Sequence, residues 1–184
     1  MLSLGFILSI VAVGIWTYLL LFRGFFWREA PHEAPALTLE SWPEVTVVTP
    51  ARNEADVVGQ SMAALLAQDY PGVIHIVLVD DDSTDGTAEA AERAAEKSQT
   101  HHKLTVVKNP ALAPGWTGKM WAVNRGLSEA ERLAPNAKYV LLTDADILHE
   151  RGSIRRLVSR AEQGGYKMVT LMARLKTETL ASAR

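Results

Sequence analysis

The chain opens on an uncharged, mostly apolar run over residues 2–22. As a helix at about 1.5 Å per residue it spans roughly 30 Å, the thickness of a bilayer's hydrocarbon core. Trp16, Tyr18, Phe25, Phe26 and Trp27 gather towards its end, as an interfacial aromatic belt does. Arg23 and Arg28 follow, and no Lys or Arg precedes the run, which predicts a single pass with the downstream domain in the cytoplasm, at the cell inner membrane. A cleaved signal peptide is the rival reading, but the run lacks a basic leader and is longer than the apolar stretch of such peptides. Gly5 and Gly14 are not at the spacing of a helix-dimerisation face.

Beyond residue 43 the pattern changes to short apolar runs alternating with helical periodicity. Residues 45–49 read as a β-branched strand stopped by Pro50. Val58, Met62, Leu65 and Leu66 recur at helical spacing and predict a helix over 54–68. A second strand is expected over 73–79 and an Ala/Glu-rich helix over 87–97. A short third strand follows at 104–107, then a helix over 117–133 with Met120, Val123, Leu127 and Ala130 facing inward. Residues 139–143 are a fourth strand, 153–163 a helix capped by Ser153, and 168–171 a fifth strand. Strict alternation with nearly continuous apolar strands argues for an α/β domain with a largely parallel sheet, covered on both faces. The chain therefore divides into a transmembrane helix (1–23), a proline-bearing juxtamembrane linker (24–43) and a globular part (44–184).

Composition adds exclusions. A net charge of -2 and a pI near 6.2 give no reason to expect nucleic acid as a partner. With no cysteine, disulfides and thiolate metal sites are ruled out. The mean hydropathy of +0.03 is high for a soluble protein, the excess lying at the N-terminus.

The unusual polar groups fall where the predicted strands end: Pro50 to Glu54 after the first, Asp80 to Asp82 after the second, and Asp144 with Asp146 after the fourth. In open α/β sheets that edge is where ligands bind. Two carboxylates one residue apart suit a divalent cation that in turn holds a diphosphate. A G-x-G-x-x-G after the first strand is absent, as are a P-loop and an H-E-x-x-H, which argues against a dinucleotide dehydrogenase, a P-loop nucleotidase and a zinc hydrolase. The D-x-D pair of a haloacid-dehalogenase-type phosphatase would follow the first strand instead of the fourth. A nucleotidyltransferase would carry a Gly-rich basic loop where Pro50 to Glu54 stand.

Four segments in order resemble the family 2 glycosyltransferases of the GT-A fold. They are Pro50-Ala51-Arg52-Asn53-Glu54, Val79-Asp80-Asp81-Asp82-Ser83-Thr84-Asp85-Gly86-Thr87, the Gly118, Lys119, Ala122, Asn124, Gly126 series, and Asp144-Ala145-Asp146. The membrane helix, the Pro-Ala-Arg-Asn-Glu-Ala-Asp-Val run and the Gly-Trp-Thr-Gly-Lys loop are similar to the hopene-associated glycosyltransferases. The resemblance implies a Rossmann-like nucleotide-diphospho-sugar fold and an inverting, hexosyltransferase-type reaction. It also implies a nucleotide-sugar donor, expected to be a UDP-sugar, and a lipid or polyisoprenoid acceptor.

The same resemblance assigns roles. Asp81 would accept the uracil N3–H, with Pro50, Arg52 and Glu54 lining base and ribose. Lys119 would face phosphate, or stand as a solvated surface lysine. Asp146 would be the direct ligand of Mg²⁺ or Mn²⁺, with Asp144 on the ribose or a metal-bound water. Asp80, Asp82 and Asp85 read as structural turn residues. His149 reads as a surface-loop histidine and His101-His102 as a polar pair with no specific role. Arg151, Arg155, Arg156 and Arg160 read as a solvated helix face, or one that meets anionic lipid.

A general base for the acceptor hydroxyl is expected beyond the D-x-D, yet only Glu150, Glu162 and Glu178 follow Asp146. The chain therefore reads as a GT-A domain incomplete at its C-terminus, the donor-binding half, with isolated activity doubtful. The competing reading is a membrane-tethered nucleotide-binding module without catalysis.

Overall fold

The computed structural model describes residues 3–23 and 39–171. The chain divides into two compact units, Met1–Ala34 and Pro35–Arg184. In the first, helix α1 runs over Leu4–Phe22, begun by Ser3, whose hydroxyl accepts the Phe6 N–H at 3.3 Å. It buries no residue within its unit and is long and apolar enough to cross a bilayer.

The second unit carries strand β1 (Val45–Ala51), helix α2 (Ala55–Leu66), strand β2 (Ile74–Asp80) and helix α3 (Thr87–Glu96). Strand β3 (Lys103–Lys108), helix α4 (Gly118–Leu133), strand β4 (Tyr139–Leu142) and helix α5 (Ser153–Gly164) follow. All strand pairs are parallel, in the order β3-β2-β1-β4. The chain winds outward from β1 to β3, then returns to lay β4 on the other side of β1. The strand order thus reverses between β1 and β4, which opens a crevice at their carboxyl ends.

Pro50 does not stop the first strand, which runs on to Ala51. Val45 N–H and Ala51 C=O point to the β2 side, bonding Val73 and Asp81, whereas Val48 C=O takes the Thr143 N–H on the β4 side. Pro50 shares the parity of Val48, and the β4 ladder ends at Val48 with Leu142. The missing proline N–H therefore faces a place where no strand needs it.

Alternation along the strands divides the core. Val45, Val47, Ala51, Ile74, Ile76 and Leu78 pack on one face with Val58, Met62 and Leu65 of α2, Ala91 of α3, and Ile154 and Val158 of α5. Leu39 and Trp42, just before the expected start at residue 44, also pack here, and the Tyr70 hydroxyl donates to Pro43 O at 2.6 Å. On the other face Val48, Val77 and Val79 meet α4 through Ala122 and Ala130.

The inner face of α4 differs from the expected one. Met120 and Leu127 are exposed, and the buried positions include Ala122, Gly126 and Ala130. A Cβ built on Gly126 would fall 2.3 Å from Val48 Cγ1 and 3.0 Å from Val79 Cγ2, so the helix lies too close to the sheet for a larger residue there. The expected fifth strand is also absent. Residues 168–171 belong to no strand, Met168 is 80% exposed, and among the described residues β4 pairs only with β1. An apolar run becomes a strand only when a ladder neighbour takes its backbone groups.

Candidate functional site

The loops after β1 and β2 hold each other by side-chain bonds to backbone amides. Asn53 adopts a left-handed conformation with φ of 53°, its N–H donating to Ser83 Oγ at 3.0 Å and its Oδ1 accepting the Thr84 N–H at 3.0 Å. Glu54 N–H donates to Thr87 Oγ1 at 2.9 Å, and Ala55 N–H to Asp85 Oδ2 at 3.0 Å. These caps satisfy orphan amides at the start of α2. The Thr87 hydroxyl, then the Ala55 amide, hold the Asp85 carboxyl below its ordinary range. Asp80 is buried and accepts the Ser83 N–H at 3.1 Å, so Asp80 and Asp85 are structural.

Asp81 is different. Its N–H donates to Ala51 O at 2.9 Å, which seats it on the end of β1. Its carboxylate accepts Asn109 Nδ2 at 2.6 Å and lies 3.6 Å from the Arg52 guanidinium. Asn109 in turn is fixed by its own N–H, which donates to Asp80 O at 2.9 Å. At the start of α4, a Cβ on Gly118 would come 3.1 Å from Asp81 Oδ2, so a glycine lets the helix approach that carboxylate closely.

Asp144 and Asp146 follow β4, and between them Ala145 turns inward to 3% exposure. The turn is braced from behind: Thr143 Oγ1 meets His149 Nε2 at 2.9 Å, His149 Nδ1 lies 3.4 Å from Ser153 Oγ, and Ser61 Oγ donates to Ile147 O at 2.9 Å. His149 is therefore not a free surface-loop histidine. It is half-buried, and burial pushes its pKa down, favouring the neutral ring.

Pro50, Ala51, Arg52, Glu54, Asp81, Gly118, Lys119, Ala122, Asp144, Ala145 and Asp146 line one cleft of about 320 Å³. All seven residues singled out from the sequence, namely Pro50, Arg52, Glu54, Asp81, Lys119, Asp144 and Asp146, thus share a single wall-and-floor surface. Lys119 is not merely solvated: its Nζ lies 2.8 Å from Asp144 Oδ1, although both side chains are more than half exposed. Such a pair adds little stability and is free to exchange partners. The hard oxygen donors of Asp144 and Asp146 fit Mg²⁺ or Mn²⁺ that takes one or two carboxylates and completes its shell elsewhere. Among the described residues no three His, Asp or Glu side chains gather into a denser cluster.

The remaining sequence candidates lie elsewhere. His101 Nε2 contacts Gly72 O at 3.1 Å, and buried His102 bridges Ile74 N and Gln68 O. Arg155 binds Asp69 at 3.1 Å and sits 5.5 Å from the Trp42 ring, and Arg156 binds Glu150 at 2.7 Å. Arg151 precedes α5, and two of the three arginines on the helix have acidic partners instead of forming one solvated row. Gly118 stood in one of the four motif segments, but nothing in the sequence made it a neighbour of the Asp81 carboxylate. Asn109 stood in none of them, and only its position at a strand end could have pointed to it.

A cleft at the switch point of a parallel sheet, walled by acidic strand ends and a helix N-terminus, stands where open α/β domains take up their ligands. Residues 46–179 match the model of glycosyl transferase family 2, and the chain belongs to that family. It is 33% identical over 137 residues to the beta-monoglucosyldiacylglycerol synthase of Synechocystis sp., covering 71% of this chain and 26% of the relative. It is 30% identical over 134 residues to the undecaprenyl-phosphate 4-deoxy-4-formamido-L-arabinose transferase of Photorhabdus laumondii, covering 70% and 37%. Among solved structures, the mannosyltransferase PcManGT of Pyrobaculum calidifontis, in complex with GDP-Man and Mn²⁺, is 30% identical with a TM-score of 0.58, covering 84% of this chain and 42% of that one. The S. aureus TarS 1–349 complex with UDP shares the fold at 23% identity and a TM-score of 0.50. The chain thus spans roughly a quarter to two fifths of the length of these proteins.

Proposed function

We propose that this chain is the donor-binding portion of a membrane-anchored glycosyltransferase that uses a nucleotide-diphospho-sugar, with a UDP-sugar as the preferred donor. The observation that carries it is the single cleft shared by all seven residues selected from sequence motifs. Asp81, held by Asn109 and beside Arg52, presents an acceptor for the N3–H of uracil. Pro50, Arg52 and Glu54 line the base and ribose. Lys119 leaves Asp144 to face the diphosphate, where the start of α4 adds amide donors. Asp146, with Asp144, holds Mg²⁺ or Mn²⁺. The metal supplies Lewis-acid stabilisation of the charge on the diphosphate leaving group.

Residues 1–23 serve as the anchor, 24–43 as the link and 44–184 as the donor-binding half. A lipid or polyisoprenoid acceptor is supported by relatives named for diacylglycerol and undecaprenyl phosphate, and a hopanoid link by the likeness to hopene-associated enzymes. Arg23 and Arg28, just after the helix, support a cytoplasmic placement of the domain at the inner membrane. Among the described residues after Asp146, Glu150 is tied to Arg156, and Glu162 to Lys138 and Tyr139, and neither lines the cleft. This also suits the second reading, a nucleotide-binding module without catalysis.

Titration calorimetry of the full chain in detergent micelles tests the proposal. UDP is expected to bind in the presence of Mn²⁺, far more weakly in chelator, and more tightly than GDP. Asp146→Ala should abolish the metal dependence. Metal-dependent UDP binding that survives Asp146→Ala would refute the metal assignment, and equal affinity for GDP would refute the uridine preference.

A further inference from the structure

Between β4, which ends at Leu142, and α5, which begins at Ser153, residues 143–152 belong to no helix or strand, yet they carry both carboxylates of the D-x-D pair. Backbone outside regular structure needs other partners to hold one conformation. Buried polar side chains beside α2 and α5 supply them. The Ser61 hydroxyl donates to Ile147 O at 2.9 Å, and Gln68 Nε2, just past the end of α2, donates to Glu150 O at 2.8 Å. Ser61, Gln68 and Ser153 are all buried. On the strand side, the Thr143 N–H donates to Val48 O at 3.2 Å.

The bonds also fix where each proton lies. Gln68 Nε2 donates to Ala64 O at 3.1 Å as well, whereas its Oε1 accepts the Ile154 N–H at 3.1 Å, so the amide has one orientation. Because Oε1 only accepts, the Ser153 hydroxyl gives its proton to Oε1, at 3.2 Å. Ser153 Oγ then has only lone pairs to offer His149 Nδ1, 3.4 Å away, which places the ring proton on Nδ1. In the neutral ring that burial favours, Nε2 is an acceptor and takes the Thr143 hydroxyl proton at 2.9 Å.

We propose that His149, as the Nδ1–H tautomer set by Gln68 and Ser153, is a positioning residue that holds the turn of Asp144 and Asp146 in metal-binding shape. It acts through Thr143, the residue next to Asp144. This rests on the metal site proposed above and is independent of which sugar or acceptor is used. A turn fixed beforehand leaves less ordering to be done when the metal binds.

Thr143→Val removes the hydroxyl and Thr143→Ser restores it. The full chain in detergent micelles, with saturating UDP, is titrated with Mn²⁺, and free Mn²⁺ is read by its paramagnetic resonance signal. Thr143→Val is expected to weaken Mn²⁺ binding about tenfold, the lower end of the effect of removing outer-shell partners. Thr143→Ser should recover most of that loss, and UDP affinity in chelator should be the same in all three chains. Unchanged Mn²⁺ affinity in Thr143→Val would overturn the brace and leave the metal assignment standing. Failure of Mn²⁺ to bind the wild-type chain would overturn both. Equal loss of UDP binding with and without Mn²⁺ would also refute the proposal, because the variant would then disturb the fold at large. A second measurement needs no variant to fold. In long-range ¹H–¹⁵N correlation spectra of the wild-type chain at neutral pH, His149, one of five histidines, should carry its proton on Nδ1 alone. A proton on Nε2 would overturn the proposal.

Discussion

Replacing Gly126 with alanine sets two effects of opposite sign against each other. In the middle of a helix, Gly→Ala ordinarily stabilises by about 1 kcal/mol through backbone entropy. Here the added Cβ would meet Val48 Cγ1 at 2.3 Å and Val79 Cγ2 at 3.0 Å. Both valines are fully buried in the two central strands, and β-branched side chains have little χ1 freedom with which to retreat. Overpacking costs about 1–3 kcal/mol, and this contact belongs at the upper end of that range. The net expectation is a loss of about 2 kcal/mol, a fall in melting temperature of about 5 °C for a chain of this size. Urea unfolding of the full chain in micelles, followed by tryptophan fluorescence, reads the change as a lower midpoint at constant slope. A double-mutant cycle adds a sharper test. Val48→Ala removes the obstructing methyls, so Gly126→Ala/Val48→Ala should lose about 1 kcal/mol less than the sum of the single losses. A midpoint that is unchanged or raised in Gly126→Ala would mean that α4 stands farther from the sheet than described. The positions of Gly118 and Lys119 at the cleft would then need revision too.

Two further outcomes follow from particular contacts. Buried His102 accepts the Ile74 N–H on Nδ1 at 3.3 Å and contacts Gln68 O through Nε2, and burial holds its pKa below the ordinary 6.5. Because the unfolded ring takes its proton first, stability is full above about pH 6.5 and falls as pH drops below it; urea midpoints measured from pH 8 to 5 should decline less steeply in His102→Gln, and parallel declines would refute this. Asn109→Ala removes the 2.6 Å donor that orients Asp81, so UDP affinity should weaken about tenfold, or 1.4 kcal/mol, in calorimetry; an unchanged dissociation constant would show that Asp81 needs no such positioning.

The alternation of strands and helices was legible because β-branched runs and helical periodicities are both strong local signals. The β1 to β4 elements and all five helices lie within a few residues of their expected places. Errors arose where a neighbour decides the outcome. Pro50 stays in β1 because β4 has already ended on its donor side, and residues 168–171 form no strand because nothing among the described residues pairs with them. On α4, large apolar residues were expected inward, but the close sheet selects small ones. Gly118, Ala122, Gly126 and Ala130, each four residues apart, carried that signal in the sequence. The cleft residues stood out because three polar clusters fall at the ends of strands on one sheet edge, where open α/β sheets take their ligands. Asn109 and His149 did not, since a bond to Asp81 or Thr143 leaves no local pattern.

The strand order also governs how the chain emerges from the ribosome. β1 gains β2 as a partner soon after it is made, but its other edge stays open until β4 appears roughly ninety residues later. At synthesis rates of about 5–20 residues per second, that edge waits roughly 4–18 s. Its sequence, Val45-Thr46-Val47-Val48-Thr49, is β-branched, uncharged and entirely buried in the finished domain. An open edge of this kind templates pairing with other chains. The returning strand that carries Asp144 and Asp146 to the cleft is therefore also the cap that closes this edge.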